Sequence, residues 1–109
     1  DFKSVNKLRN EYYSDWEGMH ATPSEISITQ VNHRVIQSPL ADVLPKKLTK
    51  KFIKEHAGDK HGEAGVHKKN FPDGRVGSHS ALAKREHGIE LMSKAVTEIQ
   101  KDYLEFLKT

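Results

Sequence analysis

The chain has 109 residues, 35% hydrophobic, 30% charged and 7% aromatic, which accommodates one compact domain and leaves no room for a second. A mean hydropathy of −0.75, with no apolar run near the roughly 20 residues of a spanning helix, excludes a transmembrane segment. The first ten residues lack the apolar core of a secretory signal. With 18 Lys and Arg against 15 Asp and Glu, a formal charge of +3 describes a mixed surface, not the segregated basic face that nucleic-acid binding requires.

There are no cysteines. This removes disulfides, thiolate nucleophiles and sulfur-bound zinc, and makes a reducing, cytoplasmic compartment the default. Any metal would need His, Asp or Glu, and the 7 histidines are a large supply of the ligand type that suits zinc, manganese or iron. The chain opens at Asp1 without an initiator methionine, which suggests residues processed, cleaved or cut from something longer.

In chain order, residues 1–14 show no decisive period. Thr22-Pro23-Ser24-Glu25 fits a capping box with proline at the first helical position, so a helix is predicted from Pro23 to about Asn32. Ile26 and Ile28 alternate like a strand, but the alternation is brief. Leu44, Leu48, Phe52 and Ile53 predict a short amphipathic helix opened by Pro45 and ended near Gly58, its lysines a solvated face. Residues 57–78, with five glycines and the turn Pro72-Asp73-Gly74, read as coil. In the last stretch Ile89, Met92, Val96, Ile99, Tyr103 and Phe106 alternate in spacings of three and four, the period of one helix face. With Ser80 as N-cap this predicts a helix over 81–107, roughly 27 residues and about 40 Å long. Such a rod exceeds the width of a domain this small, so part of its stripe needs a partner from outside. Coiled-coil self-association is the alternative.

Three groupings bear on chemistry. His20 lies just before the helix start and Glu25 in its first turn, so an imidazole and a carboxylate can converge beside free backbone N–H groups, where the helix dipole favours an anion. The structural alternative is that Glu25 only closes the capping box. His56, Asp59, His61, Glu63 and His67 crowd into a glycine-rich stretch, but their spacing matches no metal motif, and a loop with solvated histidines is the simpler reading. Gly74-Arg75-Val76-Gly77-Ser78-His79-Ser80 lacks the Walker spacing and lysine, so a backbone turn feeding a helix is favoured over a phosphate loop.

Two of these segments together resemble the C-terminal half of the creatininase family of metal-dependent amidohydrolases. His20-Ala21-Thr22-Pro23-Ser24-Glu25-Ile26-Ser27 is similar to the family signature His-Ala-Gly-x-x-Glu-Thr-Ser, with the same step from histidine to glutamate. Trp16 stands four residues before that histidine, where creatininase has a substrate-contacting tryptophan. The run from Gly74 to Gly88 is similar to the family's closing pattern, a Gly-rich turn leading into the final helix. The resemblance covers roughly residues 16–107. The chain departs from the family where Thr22-Pro23 replaces a glycine-containing linker, Ile26 a threonine and His87 a lysine, which points to a divergent branch.

The resemblance implies an α/β class: the C-terminal portion of an α/β/α layered fold ending in a long amphipathic helix. The parallel sheet and most metal motifs would belong to an N-terminal half with no counterpart here. Residues 1–109 would then be one part of a single domain. The implied activity is metal-dependent hydrolysis of a non-peptide amide C–N bond, a cyclic amide among the candidates, with one or two zinc or manganese ions polarising the carbonyl and activating water. Carried across, Glu25 would be a metal ligand or hold the metal's water, His20 would shuttle a proton to the leaving nitrogen, and Trp16 would line the substrate pocket. The implied partners are a small amide substrate, the N-terminal half or a companion chain, and further copies in a homo-oligomer, with neither nucleic acid nor membrane. Two other readings are a non-catalytic helical interaction module, or basic nucleic-acid binder using Lys46 to Lys54, and a family member that has lost its chemistry.

Overall fold

Thr22 starts a helix as its sequence prescribes: its Oγ1 accepts from the Glu25 backbone N–H (3.2 Å) while Glu25 Oε2 accepts from the Thr22 N–H (3.2 Å), a reciprocal capping box. The computed structural model describes residues 2–35, 38–57 and 62–109. Among them lie α1 (Lys3–Tyr13), α2 (Pro23–Asn32), α3 (Lys50–Glu55), α4 (Ala64–Asn70) and α5 (Arg85–Leu107), with 3-10 turns at Ser14–Trp16, Pro39–Asp42 and Ser80–Leu82. No sheet occurs among the described residues. Among these residues the one extended pairing is an antiparallel bridge between His20 and Val76. The expected α/β class is corrected, for these residues, to a helical assembly. Ile26 and Ile28, the pair that alternates, follow a strong helix start, and a two-residue alternation does not override it.

Element boundaries also move. Helix α5 begins at Arg85, not Ala81, because Ser80 is not its cap: the Ser80 hydroxyl donates to the Ala21 carbonyl (2.7 Å) and residues 80–82 form a separate 3-10 turn. Helix α3 is capped by Thr49, whose Oγ1 accepts from the Phe52 N–H (3.1 Å), so it starts after Pro45. Its expected end near Gly58 lies outside the described residues. Helix α4 occupies part of the stretch read as coil, and α1 rests on Val5, Leu8 and Tyr12, half-buried at helical spacing. No helix among the described residues is long and apolar enough to cross a membrane.

Helix α5 runs across α2 and, over a smaller area, α1. Gly88 makes the crossing close: a Cβ there would overlap the Ser27 carbonyl oxygen and lie 2.5 Å from its carbon, so the two backbones touch. Leu91, one turn on, is fully buried. Ser27 is buried at the same crossing and donates to the Pro23 carbonyl (2.6 Å). With its hydrogen committed there, its oxygen accepts from the Lys84 N–H (3.0 Å) and the Tyr13 hydroxyl (2.7 Å). Tyr13 in turn takes the Nδ1–H of His87 (2.9 Å). One polar chain thus ties α1, α2 and α5 together.

The seam that packs is not the stripe that periodicity picks out. Ile89, Val96, Ile99, Tyr103 and Phe106 are 46% to 70% exposed, and the buried face runs through Gly88 and Leu91. Among the described residues few apolar side chains are buried elsewhere: Tyr13, Pro23, Phe71 and Val76. The radius of gyration, 15.7 Å, exceeds the roughly 13 Å of a compact domain this long. Helix α5, 23 residues and so about 34 Å long, has an apolar face with no partner among the described residues.

His87 stacks flat on Tyr12 (centroids 3.8 Å) and lies edge-on to Tyr13. Burial and then Lys84 hold its pKa below the ordinary histidine value, against Glu86 and Glu90. Protonation adds a proton at Nε2 and leaves the bond to Tyr13 intact, so acid acts through burial, not through a lost hydrogen bond. A histidine whose folded pKa is depressed contributes stability above its unfolded pKa, near 6.5, and that contribution is lost as pH falls through and below it toward the folded value. The urea midpoint should therefore fall more between pH 7 and 5 in the natural chain than in His87→Asn, which keeps a donor near Nδ1 but does not titrate. Parallel pH profiles would contradict this.

Candidate functional site

The two sequence segments that carry the resemblance meet in space. The Met19 N–H donates to the Val76 carbonyl (2.8 Å), the Val76 N–H to the His20 carbonyl (3.4 Å) and the His79 N–H to the Trp16 carbonyl (2.9 Å). The Ser78 and Ser80 hydroxyls donate to the carbonyls of His20 and Ala21. Gly18, at φ +68°, sits under this clamp, and a Cβ there would overlap Ser78 Oγ and lie 2.5 Å from Ser78 N. The clamp also holds Ala21 at φ +54°, a left-handed conformation that costs a non-glycine residue about 1–2 kcal/mol. Strain of this kind persists only where surrounding contacts hold it.

Trp16, His20 and Glu25 all belong to this segment, but their side chains are not joined. Trp16 is half-buried, its ring edge-on to His79 (centroids 6.0 Å, 66°). His20 and Glu25 are exposed on either side of the α2 start. Among the described residues no hydrogen bond links their side chains. Glu25 uses only Oε2, which accepts from the Thr22 N–H and the Thr22 hydroxyl (3.0 Å). His79, read from sequence only as part of a turn, is a fourth member. Its Nδ1 is buried with no hydrogen-bond partner among the described residues.

The expectation of free N–H groups at the α2 start is corrected. Pro23 has no N–H, the Glu25 N–H is taken by Thr22 Oγ1, the Ile26 N–H by the Thr22 carbonyl (3.1 Å), and the Ser24 N–H by Glu17 Oε1 (3.1 Å). This helix end is closed, so it offers no donor to a developing oxyanion. The anion that the dipole attracts is the protein's own Glu17 carboxylate, 8% exposed, which also accepts from Arg9 Nε. Sequence reading passed over Glu17. Its only signal was an acidic residue shortly before a helix start.

The remaining groupings behave as structure. His56 stacks on Phe52 (3.9 Å) with its Nδ1 against the Phe52 carbonyl, His67 tilts against Phe71, and Glu63 precedes α4. Asp59 and His61 lie outside the described residues. In the Gly74–Ser80 run, Arg75 is buried and held by Asp73 and the Ala41 carbonyl (3.3 Å), a turn braced by its own side chains. No three His, Asp or Glu residues gather as a metal cage among the described residues. Glu25 has one carboxylate oxygen outside the capping box, and the His20 imidazole has no hydrogen bond among the described residues. They fit a metal as one or two ligands, fewer than the three protein ligands of a catalytic zinc site. No family model matches the chain, and no curated protein matches it.

Proposed function

We propose that this chain is the C-terminal part of a creatininase-like metal-dependent amidohydrolase acting on a non-peptide amide C–N bond, whose pocket is completed, and whose sheet is supplied, by polypeptide outside these residues. The observation that supports this reading most is the clamp: two segments more than fifty residues apart, each similar to a family motif, are hydrogen-bonded to each other around a strained Ala21. The open stripe of α5 agrees, since an apolar helix face of this length is where the layered α/β remainder would rest.

Glu25 would hold a zinc or manganese ion through the oxygen that the capping box leaves unused. The ion, when bound, supplies Lewis-acid polarisation of the amide and activation of water. The chain's own residues do the rest. His20, exposed, moves a proton to the leaving nitrogen. Trp16, fixed against His79, presents an aromatic wall to a planar substrate. The closed helix end means that carbonyl stabilisation comes from elsewhere.

The test is hydrolysis of a small cyclic amide by the complete enzyme. Chelator should abolish it and zinc or manganese restore it, and His20→Ala and Glu25→Ala should each lower kcat by about 10²–10⁴-fold. Activity that survives chelation, or both substitutions, would defeat the proposal.

A further inference from the structure

Glu17 is a buried carboxylate for which the reaction above has no use, yet three elements meet on it. Its Oε2 accepts from Arg9 Nε on α1, its Oε1 accepts from the Ser24 N–H in the first turn of α2, and its own backbone N–H bonds to the Ser14 carbonyl (3.3 Å), closing the turn that carries Trp16. A charge is costly to bury unless it is paired and hydrogen-bonded. Here both carboxylate oxygens are used, one by a cation and one by a helix end. The residue stands between Trp16 and His20 in sequence, so the loop bearing both is anchored at its middle to two helices. The clamp from residues 76–80 fixes the other side of the same loop. Helix α2 cannot orient the loop alone, because its remaining first-turn donors are spent inside the capping box.

We propose that Glu17 is a positioning residue: its carboxylate, not its bulk, sets the orientation of the Trp16 and His20 side chains. The catalytic purpose of that orientation rests on the amidohydrolase reading, whereas the anchoring does not.

The test uses the 109-residue chain with Glu17→Gln and Glu17→Ala, following the Trp16 and His20 ring resonances by NMR, with His56, stacked on Phe52, as an internal reference. Glutamine keeps the size and an oxygen for Ser24 but loses the charge facing Arg9. In both variants the Trp16 and His20 resonances should shift and broaden while His56 is unchanged. Sodium acetate should return them toward the natural positions in Glu17→Ala, and chloride at equal ionic strength should not. In the complete enzyme Glu17→Gln should lower kcat by about 10- to 100-fold, the size expected from a small misplacement of the reacting groups, and should raise KM as the Trp16 wall shifts. Unchanged Trp16 and His20 resonances in Glu17→Gln would overturn the inference. So would loss of all three resonances in both variants, because Glu17 would then be holding the fold. If no metal-dependent hydrolysis exists, the functional reading fails while the ring shifts stand. If hydrolysis exists and Glu17→Gln alters neither rings nor kcat, only this inference fails.

Discussion

Gly88→Ala is expected to destabilise the chain by about 2–4 kcal/mol, reversing the usual sign of a glycine-to-alanine change inside a helix. In an open helix that change gains up to about 1 kcal/mol, because alanine restricts the unfolded chain and is the better helix former. At position 88 the added methyl would overlap the Ser27 carbonyl oxygen, and backbone also lies 2.5 Å and 3.0 Å away at the Ser27 carbon and Ile28 nitrogen. None of these is the tip of a flexible side chain, so α2 and α5 must part. Parting them lengthens the Lys84 N–H to Ser27 bond, now 3.0 Å, and exposes Leu91. Overpacking typically costs about 1–3 kcal/mol, and loosening a buried polar chain adds to it. A urea titration reads the result directly, and a Tm drop on the order of 10 °C should accompany it. A neutral or stabilised Gly88→Ala would mean that the helices do not meet backbone to backbone.

Gly18→Ala should cost about 3 kcal/mol by a different route and should open the clamp. The backbone at position 18 has φ +68°, where alanine is strained by about 1–2 kcal/mol, and its methyl would overlap Ser78 Oγ and lie 2.6 Å from the Gly77 carbonyl carbon. Gly74 separates the two causes: its φ is +82°, but a Cβ there meets nothing within 4 Å, so Gly74→Ala should show the strain alone, about 1 kcal/mol. Hydrogen exchange localises the damage. The Met19 and His79 amides, which donate across the clamp, should lose protection in Gly18→Ala and keep it in Gly74→Ala. Equal effects of the two substitutions would contradict the close approach of residues 18 and 78.

What could be read in advance was what is local. Helix α2 was legible to the residue because Thr22, Pro23 and Glu25 state its start within four positions. Helix α5 was legible as a helix but not in its packing. Periodicity follows large apolar residues, and the buried seam is made by Gly88 and Leu91 with the hydroxyl of Ser27, two of which carry no hydropathy signal. Helix α4 was hidden among glycines, and α1 among charged residues that dilute Val5, Leu8 and Tyr12. The clamp was illegible as geometry: serine hydroxyls at 78 and 80 reaching carbonyls at 20 and 21 leave no spacing to recognise. The layered α/β expectation came from resemblance, and no sheet appears among the described residues. Glu17, the carboxylate that closes the α2 end, was missed because it lies seven residues before Ser24, a separation that matches no capping motif, and that end was expected to keep free N–H groups.

In the proposed enzyme these residues form one side of a catalytic pocket finished by other polypeptide and a metal. Native mass spectrometry of the protein isolated in its hydrolytically active form tests this most directly. The expected result is a mass per protomer above the 12.4 kDa of this chain, with bound zinc or manganese that leaves together with activity on chelation. A protomer of 12.4 kDa in the active material, alone or as a multimer of identical chains and without metal, would contradict it.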